Sequence, residues 1–141
     1  MTLADMRVGL RAYLLDDAAI AAIVGSRVHP LILPQGDTGP SIVYSRISAV
    51  GDHHMSAASG LVQTRLQLDC WAASLDNAAA LADLVKQRLD GFSGTMLWGE
   101  DSPAEAIVVQ GIFFDGERED FDNAAKLHRV SRDYLIWYEE R

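Results

Sequence analysis

The stretch Leu66-Gln67-Leu68-Asp69-Cys70-Trp71-Ala72-Ala73-Ser74-Leu75-Asp76-Asn77, running on into Ala78 to Phe92, switches its apolar spacing from every second residue to a helical stripe. Successive strand side chains point to opposite faces, whereas neighbours on one helix face recur three or four residues apart, so the segment reads as a strand feeding an amphipathic helix. The strand starts upstream, with Val62, Thr64, Leu66, Leu68 and Cys70 on one face and Gln63, Arg65, Gln67 and Asp69 on the other. One face packs and the other meets water or a partner. Ser74 is placed to cap the helix, and Asp76 in its first turn suits the positive end of the dipole. Ala78, Leu81, Ala82, Val85, Leu89 and the trailing Phe92 make the buried stripe, Asp83, Lys86, Gln87, Arg88 and Asp90 stay wet, and Gly91 and Gly94 end it.

Towards the N-terminus, Leu3, Met6, Leu10, Tyr13 and Leu14 predict a helix over residues 3 to 15. Asp16 and Asp17 cap a second short helix through Ala18, Ile20, Ile23 and Val24, which Gly25 stops. Arg27 to Leu33, holding Pro30 and ended by Pro34, suits an edge strand. Ile42 to Val50 reads as a strand whose apolar residues do not alternate cleanly, and Gly51 to Gly60 as a long, polar loop. Towards the C-terminus, Ala106 to Asp115 predicts a central apolar strand, Asp115 to Asn123 a solvated acidic loop and Leu127 to Glu139 the last strand. Strands joined by hairpins, with two or three helices packed on them, make the class α+β with a mainly antiparallel sheet in a single domain over residues 1–141.

The composition narrows the function. At 141 residues the chain can bury a core without staples, and its single cysteine excludes an intrachain disulfide. No apolar run is long enough to span a bilayer and the N-terminus lacks a signal-peptide pattern, so a soluble chain, cytosolic at synthesis, is expected, with no membrane partner. Twenty acidic against twelve basic residues give a net charge of −8, the wrong sign for a chain that holds nucleic acid by its phosphates.

No residue set carries chemistry. Cys70 and Asp69 are neighbours in a strand and point to opposite faces, so the carboxylate cannot activate the thiol, and Cys70 reads as a small core residue. Asp52, His53 and His54 lack ligand spacing, and His29 and His128 lie elsewhere in the chain, so neither a metal nor any other cofactor is expected. The acidic run Asp115 to Asp122 lacks the order of a calcium loop, with Arg118 intruding. Gly91 and Gly94 follow a helix instead of opening one, the wrong polarity for a phosphate. About two of the three tryptophans, Trp71, Trp98 and Trp137, are expected in the core. Arg129, Arg132 and Asp133 sit among aromatics in one strand, the composition of a face that meets another subunit.

Taken in order, Asp17 to Gly25, Arg27-Val28-His29-Pro30, Pro40 to Ser48, Leu66 to Trp71 with its Ala-rich helix, and Leu127 to Tyr134 with Ile136-Trp137-Tyr138 resemble the tail-completion or tail-terminator proteins of long-tailed phages, prophages and gene transfer agents. The resemblance implies a structural subunit that forms a ring, commonly a hexamer, at the head-proximal end of the tail tube. Such a ring stops tube growth, meets the tube protein on one side and the head-tail connector on the other, and lets DNA pass through its lumen. It would assemble in the host bacterial cytoplasm and end in the particle. Two alternatives stand beside it: a head-completion or connector ring protein, and a small cytosolic hydrolase using Cys70 and a histidine. Long connections are the usual place for partner recognition, so contacts are expected from His53, His54 and Met55 and from Glu117, Arg118, Glu119 and Asp120, and the strand charges Arg129 and Arg132 join them as an interface composition.

Overall fold

The computed structural model describes residues 6–34, 39–53, 58–96 and 107–139. In chain order its elements are α1 (Met6–Leu15), α2 (Ala18–Val24), β1 (Val28–Pro30), β2 (Ser41–His53), β3 (Ala58–Ala72), α3 (Leu75–Leu89), β4 (Gly94–Met96), β5 (Ile107–Asp122) and β6 (Leu127–Glu139). The strands form one sheet in the order β1-β2-β3-β6-β5-β4, antiparallel throughout except where β1 runs parallel to β2. The class is α+β, as hairpin-joined strands with helices packed on them imply.

The helices end where their capping chemistry puts them. The Asp17 carboxylate accepts from the amides of Ala19 and Ile20, and Gly25, at φ 62°, takes the left-handed turn that closes α2. Ser74 Oγ accepts from the Asn77 amide at 3.2 Å at the start of α3. At the other end of α3 the Gly91 amide donates to the Ile112 carbonyl at 2.8 Å, which ties the helix to β5. Where α1 crosses β4, a Cβ on Gly9 would lie 3.2 Å from Ile107 Cδ1, so glycine permits the close approach.

All three helices contribute to a core on one face of the sheet. Leu10 and Leu14 of α1, Ile20 and Val24 of α2 and the predicted stripe of α3 cluster with Ile42, Leu66, Leu68, Cys70, Val130, Tyr134 and Ile136. The face predicted for β3 from Val62 to Cys70 is buried at every position, and Thr64 satisfies its hydroxyl by donating to the Ser48 carbonyl at 3.0 Å. Among the described residues the opposite face carries only a small cluster, Val43, Trp71 and Leu127, with Leu33 packed against it. Trp71 is buried and Trp137 half-buried, while Trp98 lies outside the described residues.

Three expectations are corrected. Gly51 to Gly60 is not one loop: β2 runs to His53, β3 begins at Ala58, and these two residues pair, because an antiparallel ladder goes on satisfying backbone groups past the apolar stretch. Residues 54–57, with His54 and Met55, lie outside the described residues. The acidic run is not a loop either. Asp115 to Asp122 continues β5 and pairs with β6, and the turn falls later, where the Asp122 carboxylate accepts from the amides of Ala124 and Ala125 at 2.9 Å each. Finally, β5 is not central, since β3 and β6 hold the middle. Its apolar run arises because a register shift between Val109 and Gly111 moves the phase by one residue, which keeps both Val109 and Ile112 on the helix side.

Candidate interaction surface

Position in the sheet decides what each candidate side chain can do. Cys70 faces the core, is 1% exposed, and burial pushes its thiol up to about 12, so it stays protonated at neutral pH. Asp69, on the other face, is locked by hydrogen bonds from Ser131 Oγ at 2.6 Å and Gln67 Nε2 at 2.9 Å. The histidines do not converge. His29 is on the edge strand β1, His53 ends β2, and His128 stacks on Phe121 with ring centroids 4.8 Å apart. Among the described residues no three His, Cys, Asp or Glu side chains are grouped to hold a metal ion.

The charged candidates form cross-strand pairs on the distal half of β5 and β6. On the helix side, Arg132 Nε donates to Glu117 at 2.6 Å and its Nη2 donates to Asp83 of α3 at 2.8 Å. The Arg132 side chain is only 12% exposed. Burial works against its charge, but the hydrogen bonds to Glu117 and Asp83 outweigh it and hold the guanidinium above its ordinary range. On the open side, Arg118 donates to Gln67 at 3.0 Å and to Asp133 at 3.3 Å, and Arg65 bridges Asp133 and Asp115. The hydrogen bond from Arg65 to Asp115 is the main reason its guanidinium titrates above the usual value. Nearer the turn Arg129 pairs with Asp120 and lies 5.3 Å from the Trp71 ring centroid. Glu119 is exposed, in register with Val130.

Arg129 and Arg132 thus have partners within the chain, and Glu117, Arg118 and Asp120 supply or share them. Sequence reasoning missed Arg65, Gln67, Asp83 and Asp115 as members of this network. No local motif marks them, because they come from β3, α3 and β5, which only the fold brings beside one another.

Of the two contact segments expected from the sequence, His53 of the first and the Glu117 to Asp120 run of the second lie at opposite ends of the sheet. Gly51 is in register with Val62, Tyr138 and Val109 across the strands, whereas Ser41 is in register with Trp71, Arg129 and Asp120. Twelve residues of β2 separate Ser41 from His53, roughly 40 Å at the strand rise. One end carries His53, the other the acidic hairpin.

A family model described as tail completion protein gp17 matches residues 8–139. Among solved structures, a chain of the "Virion of native gene transfer agent (GTA) particle" has the same fold, with a TM-score of 0.71 over 92% of this chain and 91% of that one, at 17% identity. No curated protein sequence matches.

Proposed function

Because the chain belongs to the tail completion protein gp17 family, a family of tail structural proteins and not of enzymes, we propose that it closes the head-proximal end of a phage-like tail tube as a ring, stopping growth and giving the head a surface to join. The observation that carries this reading is the family match over residues 8–139. The geometry supports it: a part that sits between two partners needs two separated surfaces, and the His53 end and the Glu117 to Asp122 end of the long strands lie at opposite ends of the sheet. The shared fold with a chain of a gene transfer agent virion is consistent with a place in such a particle.

In this reading each subunit makes a heterologous contact that closes by rotation, with a hexamer as the expected count, the tube protein on one side and the connector on the other. Six copies at −8 each carry about −48, so a lumen sharing that charge repels DNA and lets it slide through unheld. Assembly takes place in the host bacterial cytoplasm and the ring stays in the finished tail. Deleting the gene tests this: tails of uncontrolled length that fail to join heads are expected, and normal-length, head-joined tails contradict it. Labelling that found the protein on tailless heads would favour the head-completion ring instead.

A further inference from the structure

Among the described residues, both long strands flanking the centre of the sheet are left largely bare on their outer sides. β1 covers β2 only at Ile42, Val43 and Tyr44, and among the described residues no strand pairs with the outer side of β2 from Ser45 to His53. β4 covers β5 only from Ile107 to Val109, and the end of α3 takes the Ile112 carbonyl and, through Asp90, the Phe114 amide. From Asp115 to Asp122 no described strand covers the outer side of β5. An uncovered edge is a template for another strand.

Direction, charge and apolar surface point to the same occupant. β2, β3, β6 and β5 alternate in direction, so β2 and β5 run opposite ways. A second copy in the same orientation therefore brings its β2 antiparallel to the first copy's β5 and continues the alternation. Rotational symmetry relates copies in this way. Pairing β5 with another β5 would instead set Asp115, Glu117, Glu119, Asp120 and Asp122 against the same carboxylates, with only Arg118 on each strand to offset them. Ser45 to His53 carries one arginine and one aspartate and raises no such repulsion. Of the six large apolar side chains exposed among the described residues, Leu31, Ile32 and Ile47 flank the bare edge of β2 and Phe113 and Phe121 lie on β5.

We propose that the bare edge of β5 in one copy pairs with the bare edge of β2 in the next, so that the ring is held by a sheet continuing from subunit to subunit. This rests on the ring reading above. The bare stretches lie towards opposite ends of the sheet, so neighbours meet with a stagger of about six residues, roughly 20 Å along the strands. Strands that close into a ring tilt, and tilt brings such a stagger with it. In the free subunit the β5 carboxylates discourage self-pairing until a β2 edge is presented.

Disulfide trapping tests the contact. In a Cys70→Ala background, Ser48→Cys on β2 is combined in turn with Glu119→Cys and Phe121→Cys on β5, exposed positions whose variants should keep the wild-type melting temperature. Within one copy β2 and β5 are three strand spacings apart, about 14 Å, beyond the roughly 7 Å reach of a disulfide, so any bond joins two copies. Oxidised particles carrying at least one of these pairs should show a ladder of covalent oligomers beyond the dimer, while each single-cysteine variant stays monomeric on the gel. Dimers from a β5 cysteine alone, or no ladder from any pair in particles whose rings are visible by electron microscopy, would overturn the edge contact and leave the ring standing. Particles without any ring of this protein would overturn both.

Discussion

The near and far halves of the β5–β6 hairpin share a backbone ladder but are held by different chemistry. In the near half, Val109, Ile112, Tyr134 and Ile136 are buried under the helices. In the far half, Glu117, Arg118, Asp120, Arg129, Arg132 and Asp133 hold one another and borrow Asp83 and Gln67 from neighbouring elements. A lone hairpin is marginal in water, so the far half depends on β3 beside β6 as well as on its ion pairs. Burial therefore dominates in one half, whereas in the other Val130 and Leu127 of β6 still reach into buried clusters while the far end of β5 projects charge and edge.

The contrast breaks first at the core. Leu66→Ala empties a fully buried site on β3 and should lower unfolding free energy by about 2–5 kcal/mol in denaturant titration; a loss under about 1 kcal/mol would deny that this face is the core. Arg132→Met is the next largest, because it strips Glu117 and Asp83 of a mostly buried partner. A loss of about 2 kcal/mol, smaller in high salt, is expected from melting curves at two ionic strengths.

Alkaline pH sharpens the picture at Cys70. The folded thiol is pushed up to about 12 from 9.0, so above the lower value the unfolded chain releases a proton that the folded chain keeps. Stability should fall as pH rises through that window, with at most about 1.4 kcal/mol per pH unit from this group. Cys70→Ala should remove that part of the slope, and an unchanged slope would contradict the burial. Smallest of all, Asp120→Asn at the exposed hairpin end should shift stability by under about 0.5 kcal/mol, since exposed pairs are weak.

How much of this could be read from the chain follows the same division. β3 and α3 were legible because each carries its own pattern: alternation from Val62 to Cys70, a Ser74 cap and a stripe from Ala78 to Leu89. The far half of β5 was not, because six charges among eight residues read as a solvated turn when their partners are unseen. Those partners come from elsewhere: Arg129 lies nine residues from Asp120, and Arg132 fifteen from Glu117. Only the β5–β6 register brings them together. Arg129 and Arg132 stood out in the sequence as an interface composition, and the structure gives both partners within the chain. The bare edges could not be seen at all, since an edge is defined by which strands fail to cover it.

Cryo-electron microscopy of assembled particles tests the central claim most directly. The account predicts density that fits this fold as a closed ring between the last tube layer and the connector. Density for this chain only on tailless heads, or along the tube away from its head-proximal end, would contradict it.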